Sequence, residues 1–358
     1  MKKSVIATLI ILSGCSTWKQ KDFVKELEKS PESKVLVKVE TKQEVKLLEK
    51  FEVQAIPEVK EVPGKKKEKA PVKAAKVEKK AVKVETPKKV DVAPSVPEKV
   101  APKVKPLPKD YPEELIVINE KAKKVWELYR PTHKVGQRQF LDIHYMGITL
   151  GKIMVENRGK KAMNDMEVWH FHARLKTSPF YSSIYELDDT VDTFVTSDKF
   201  LSTRYSLIQR ESKQNIDDLQ IHDRDQYKTF WFYHREKPDG SVKDKKEENF
   251  IPYYSIDPFS VLFFFQGLPL KDKDVYEIPI ANNTKILILR SEVEGREEIN
   301  TSKGKKKAIR IHATTKYTGE RLKSGDLYFW FSDDEARVLL KAQAKIQIGS
   351  VTADISDD

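Results

Sequence analysis

Met166-Glu167-Val168-Trp169-His170-Phe171-His172-Ala173-Arg174-Leu175-Lys176 alternates without a break. Trp169, Phe171, Ala173 and Leu175 fall on one side of an extended chain. Val168, His170, His172 and Arg174 fall on the other. A period of two marks a β-strand, because successive side chains point to opposite faces. The same period runs outward in both directions. Upstream, Phe140 to Met146, then Gly147, then Ile148 to Glu156 read as a hairpin of two long strands. Downstream, strands are predicted over 192–195, 203–210, 229–234, 275–280, 286–293, 308–317 and 327–332. A last strand is predicted from Val338 through Ile348, with Gly349 shifting the phase as a bulge or bend before Val351, Ala353 and Ile355.

Two stretches break the strand pattern. Asp110-Tyr111-Pro112-Glu113 reads as a helix start, with Asp110 as cap and proline in the first turn. Ile118, Ala122, Val125, Trp126 and Tyr129 then share one helical face, and Pro131 stops the helix. Asp257-Pro258-Phe259-Ser260 opens a second, short buried helix that ends in Val261-Leu262-Phe263-Phe264-Phe265. It is predicted to plug one end or the concave face of the sheet. Roughly ten antiparallel strands and two helices imply a mainly β fold, an antiparallel curved sheet or barrel.

Residues 19–110 differ in kind. They hold 25 lysines, 16 acidic residues, ten prolines, one glycine and no arginine. Too few large apolar residues are present to bury a core, and proline opposes helix and sheet. A disordered Pro/Lys/Glu-rich tether is predicted, extended by proline and like charge. Two parts are richer in apolar residues. They are Asp22 to Leu27 and Val35 to Val53; Val35, Val37 and Val39 alternate, and Val45, Leu47, Leu48 and Phe51 share a helical side, so a small folded element, or a partner-binding segment that orders on contact, is the alternative there. The formal net charge of +11 belongs to the tether and the N-terminal signal, since residues 111–358 hold 39 basic and 39 acidic side chains. That distribution removes the usual nucleic-acid reading of a basic protein. The acidic neighbours left for the tether are lipid headgroups, lipopolysaccharide phosphates or cell-wall carboxylates.

The N-terminus has the parts of an export signal: Lys2 and Lys3, the apolar run Val5 to Leu12, and small Ser13 and Gly14. Cys15 is the only cysteine, which excludes an internal disulfide. Leu12-Ser13-Gly14-Cys15 resembles the lipobox of bacterial lipoproteins. That resemblance implies lipidation of Cys15, cleavage before it, and, with Ser16 following, an outer-membrane destination. The implied division is a signal peptide (1–14), a lipidated N-terminus (15–18), the tether (19–110) and a β-rich exported domain (111–358). Four further stretches are similar to an uncharacterised family of exported, β-rich bacterial proteins, a domain of unknown function. They are Tyr145-Met146-Gly147-Ile148-Thr149-Leu150-Gly151, Ser178-Pro179-Phe180-Tyr181-Ser182-Ser183-Ile184-Tyr185, Asp257 to Leu262, and Ile348 to Asp354. The resemblance spans about 139–355 and implies a fold, not an activity.

Candidate sites are few. His170 and His172 share a strand face, as zinc or copper ligands would, with Glu167 near in sequence. Two surface histidines on a polar face is the plainer reading, and no metal site is assigned. Asp188-Asp189 and Asp333-Asp334 sit where turns are expected. No Gly-x-Ser-x-Gly or phosphate-cradling loop occurs. Trp231-Phe232-Tyr233 and Phe263-Phe264-Phe265 place large side chains on adjacent positions, so some must face a second apolar surface. Trp231, Tyr233, Phe263, Phe264 and Phe265 are the candidates to line it. The sequence therefore predicts a non-enzymatic outer-membrane lipoprotein, held to the membrane by its lipid, with no catalytic residue and no cofactor. Its domain binds an apolar ligand or an envelope protein. The alternative is a structural spacer whose basic tether contacts cell wall or lipopolysaccharide. A metal-dependent or hydrolytic enzyme is the remaining alternative.

Overall fold

The computed structural model describes residues 25–29, 35–56, 105–317 and 326–357. The chain divides into two compact units, one of residues 1–56 with 107–358 and one of residues 57–106. The first unit carries every element named below. Its elements run α1 (Lys42–Lys50), β1 (Val53–Gln54), α2 (Glu113–Trp126), β2 (Arg138–Tyr145), β3 (Ile148–Met163), β4 (Met166–Thr177), α3 (Pro179–Ser182), β5 (Asp188–Thr196), β6 (Ser202–Glu211), β7 (Gln214–Asp223), β8 (Lys228–Glu236) and β9 (Val242–Phe250). Then come α4 (Val261–Gln266), β10 (Val275–Asn282), β11 (Lys285–Thr301), β12 (Gly304–Tyr317), β13 (Leu327–Ser332), β14 (Leu339–Lys345) and β15 (Ser350–Ser356).

One antiparallel 15-stranded sheet holds them, in the order β10 to β15, then β2 to β9, with β1 attached to β3. The join is β15 on β2, where Val351 faces Tyr145 and Ser356 faces Phe140. The sheet is mainly β as the alternation predicts, and it is curved but not closed. Its two free edges are protected differently. β9 reads Val-Lys-Asp-Lys-Lys-Glu-Glu-Asn-Phe, a charged edge that discourages pairing with another chain. At β10, Ile256 bridges Ile280, with Ala281 N–H donating to the Ile256 carbonyl at 2.8 Å.

The sheet wraps around α4. Phe263 stacks on Phe171 with ring centroids 3.8 Å apart, Phe264 stacks on Tyr129 at 4.8 Å, and Phe265 meets Phe329 and Phe331. These partners come from β4, from the segment after α2, and from β13, so α4 ties the two halves of the sheet together. α2 lies over β10 and buries Leu115, Ala122 and Trp126. Close approach fixes two glycines. A Cβ on Gly267 would stand 2.3 Å from the Tyr129 ring, and one on Gly151 would stand 2.3 Å from the Lys176 carbonyl oxygen.

Four expectations are corrected. The strand count exceeds ten because β7 and β9 carry Asp217, Asp218, Gln220 and His222, or mostly charge, in place of an apolar rhythm. The predicted last strand is a hairpin, β14 and β15, with Gly349 in the left-handed region (φ 78°) at its turn. α2 begins after Pro112 without a side-chain cap and ends at Trp126, ahead of Pro131, so Asp110 does not cap it. Tyr111 instead pins the entry, its Oη donating to the Ile251 carbonyl at 2.9 Å.

The fourth correction concerns the tether over residues 19–110. Part of it is a strap on the sheet. Thr41 and Glu44 form a reciprocal capping box that starts α1. β1 then pairs with β3, Val53 opposite Met163. Leu47 and Phe51 pack with Met163, Val168, Phe194, Leu219, Ile221 and Phe232 on the sheet face opposite α4. Further along the same face, Leu27 packs on Phe140 and Met154. The physical reason is that β4 to β8 have apolar side chains on both faces, and the outer set needs a cover. Residues 57–104, most of the lysine- and proline-rich stretch, lie outside the described residues.

Candidate functional site

The strapped outer face holds the main cluster of titratable groups. β4 and β5 pair so that His172 faces Asp192 and His170 faces Phe194. The two histidines, two apart on one strand, both reach that aspartate. Asp192 Oδ1 accepts from His170 Nε2 at 2.6 Å and from His172 Nδ1 at 2.8 Å. All three residues are buried. The expectation of surface histidines is thus corrected: a polar strand face became an interior when residues 35–56 covered it. Glu167, predicted nearby, points to the other face and pairs with Lys160 at 2.6 Å.

Burial by itself raises the Asp192 carboxyl, but hydrogen bonds from His170 and His172 outweigh it and hold the group well below the usual carboxylate range. Burial lowers His170, against the pull of Asp192. The two shifts together describe an ionised carboxylate shared by imidazoles. Two nitrogens and one oxygen within 4.8 Å of one another have the composition of a metal site. Here both imidazoles spend their near nitrogens on one oxygen. The Arg158 charge also bears on His170, and that of the half-buried Arg204 on Asp192. Arg204 donates to the Phe51 carbonyl at 3.2 Å. The cluster is a closed polar joint between sheet and strap, not an open coordination site.

A second buried carboxylate organises the inner face. Asp257 Oδ2 accepts from Thr193 and Ser202 hydroxyls, each at 2.5 Å, and from Ser260 Oγ. Its Oδ1 accepts from the Phe259 and Ser260 backbone N–H groups, both at 2.9 Å. Asp257 therefore caps the turn that leads into α4 and fastens it to β5 and β6.

The apolar candidates separate. Phe263, Phe264 and Phe265 are core, and their expected role in lining an apolar surface is corrected. A helix surrounded by sheet buries consecutive residues without needing a cavity. Trp231 is buried, donating from Nε1 to Asp218 Oδ2 at 2.9 Å, with Lys245 Nζ 4.9 Å from its ring centroid. Tyr233 is half-buried beside it. Phe232 points the other way, under the strap. Between α1 and β8–β9 lies an open groove of about 430 Å³ whose lining includes Lys46, Lys50, Lys246, Glu44, Phe230 and Trp231.

The remaining aspartates are structural. Asp188 pairs with Arg174 at 2.7 Å. Asp189, pushed up to about 6 by burial, accepts from Gln209 at 3.0 Å. Asp333 pairs with Arg296, and Asp334 accepts from the Ala336 N–H. Cys15 lies outside the described residues. Sequence reasoning missed Asp192, Arg204 and Asp257 as organisers. Only Asp257 left a local signal, as the cap before Pro258.

No curated protein matches the chain. Among solved structures it is similar to the crystal structure of a beta-barrel-like protein of domain of unknown function DUF1849 from Brucella abortus. The identity is 11%, over 64% of this chain and 98% of that one, with a TM-score of 0.41. A family model described as protein of unknown function (DUF3108) matches residues 141–356, and the chain belongs to that family.

Proposed function

We propose that this protein is a non-catalytic lipoprotein of the outer membrane, anchored by acyl chains on Cys15, whose curved β domain docks an envelope protein. The observation that carries this reading is the filled inner face. Phe263, Phe264 and Phe265 occupy the space an apolar ligand would need, which favours docking over carriage. The sealed His170–His172–Asp192 cluster supports the non-catalytic part, since a substrate has no path to it.

The strap changes how the anchor works. Residue 25 is already on the domain, ten residues after Cys15. That span reaches at most about 36 Å fully extended. The domain then works at the membrane surface, and residues 57–104 lie between two domain segments in the sequence, not between the anchor and the domain. Their charge, fourteen lysines against seven acidic residues, suits contact with lipopolysaccharide or cell-wall anions, which keeps that second reading for this stretch alone.

The test is mass spectrometry of the full chain taken from bacterial membranes. The expected N-terminal peptide begins at Cys15 and carries a diacylglyceryl group and an amide-linked acyl chain. An unmodified cysteine overturns the anchor. Native spectra should show no further lipid, and a stoichiometric lipid adduct would restore the carrier reading.

A further inference from the structure

One end of the sheet carries an exposed apolar rim, and we propose that this rim rests on the phospholipid surface of the membrane holding the chain. Three turns meet there. The β15–β2 pairing sets the β14–β15 turn beside the β2–β3 turn, with Tyr145 Oη donating to the Ile348 carbonyl at 3.2 Å. A Cβ on Gly349 would lie 3.6 Å from the Met146 side chain. On the other side, Ser178 N–H donates to the Leu150 carbonyl at 2.9 Å and brings α3 to the same end. The rim so formed shows Met146 (68% exposed), Ile348 (71%), Ile184 (57%) and Phe180 (38%). Exposed apolar side chains gathered on adjoining turns mark an interaction surface. Three of the four stretches that carry the family resemblance converge on it.

The path of the chain names the occupant. Glu26 engages Lys176, the residue before the rim-side end of β4, and its carbonyl accepts from Arg174. Glu28 pairs at 2.7 Å with Arg138, the first residue of β2 and the end away from the rim. Residues 26 to 28 therefore run away from the rim, and the described part of this segment begins at the rim-side end of the sheet. This inference rests on the acylation of Cys15 proposed above. With that anchor, the bilayer lies within a ten-residue reach on the side where the apolar turns project. Apolar side chains added to acyl chains strengthen attachment and fix orientation.

The test places an environment-sensitive fluorophore on Ile348→Cys in the acylated chain, where acylation leaves that thiol the single free one. The probe is a vesicle of phosphatidylethanolamine and phosphatidylglycerol. A label on Val135→Cys, before β2 at the far end, is the control. The expected result is a blue shift at 348 and none at 135. The paired change Met146→Ser with Phe180→Ser should lower vesicle binding of the unacylated Cys15→Ser chain by about tenfold or more. Its melting temperature should hold, since both residues are exposed. An unshifted 348 label in both the acylated and the Cys15→Ser chains, or equal shifts at 348 and 135, overturns the proposal. The mass of the Cys15 peptide is read separately, so loss of the anchor reading is distinguished from loss of the rim.

Discussion

The two faces of this sheet are covered by different means. On the inner face, α4 comes from the middle of the domain and is held by stacked aromatic rings and one carboxylate. On the outer face, residues 25–29 and 35–56 come from far upstream and are held more thinly. Leu27, Leu47 and Phe51 are their buried apolar anchors. Much of the rest is ionic or hydrogen-bonded: Lys50 with Asp223 at 2.9 Å, Lys246 with Glu44 at 3.2 Å, and Leu36 N–H with Asp217 at 3.1 Å. Partly exposed pairs of this kind contribute about 0–1 kcal/mol each. The inner cover is therefore part of the folding core, while the outer cover is a strap that can open locally with the sheet intact.

Phe264→Ala should break the inner cover. The residue is fully buried between Trp126, Tyr129 and Phe200, and its loss should cost about 3–5 kcal/mol in denaturant unfolding, in one cooperative transition. A loss under about 1 kcal/mol would place the core elsewhere. Asp257→Ala follows closely. It leaves the hydroxyls of Thr193, Ser202 and Ser260 without their buried acceptor and frees the start of α4, for an expected cost of about 3 kcal/mol. Asp257→Asn, which keeps an acceptor oxygen, should cost less.

Phe51→Ala should act on the strap alone. Hydrogen exchange is expected to lose protection over residues 35–54 while β4 to β7 keep most of theirs. Global stability should fall by about 1–3 kcal/mol, less than for Phe264→Ala. Uniform loss of protection across the sheet would mean that the strap belongs to the core after all.

How far the sequence reveals this contrast follows from the kind of signal each cover leaves. The inner cover is legible because Asp257-Pro258 and the phenylalanine run are contiguous, and a period-two sheet needs a plug. The strap is half legible. Val35, Val37, Leu47 and Phe51 have the right spacing, but the lysine and glutamate between them weigh composition toward a tether. What decides the matter is an apolar outer face on β4 to β8, and that face is assembled from strands far apart in sequence. His170 and His172 fail for the same reason. Alternation tells which side they share, but not that Asp192 from the next strand and a distant segment would close over them. Gly349 shows a different limit, since a phase shift in a β pattern fits a bulge and a tight hairpin equally well.

The smallest effect concerns His222 on β7, whose side chain lies on the inner side of the sheet. It stands opposite Thr229, fully buried, with neither ring nitrogen hydrogen-bonded. Burial, with the Arg224 charge adding to it, holds its pKa well below the ordinary histidine value. Burial likewise lowers His133 to about 4. For such groups the unfolded chain binds protons near pH 6.5 while the folded chain does not. Stability is thus full above about pH 7 and is lost as pH falls toward 4. Asp189, raised to about 6, works the other way over part of that window, because its folded form takes up a proton before its unfolded form does. His222→Leu removes one neutral imidazole and its two unsatisfied nitrogens. Melting temperature should rise at pH 7, by the equivalent of about 1 kcal/mol. Its decline between pH 6.5 and 4 should become shallower. An unchanged slope would mean that the acid sensitivity comes from His133 or from His170 on the strapped face, both of which burial also lowers. In the second case Phe51→Ala, by admitting water there, would be the variant that flattens it.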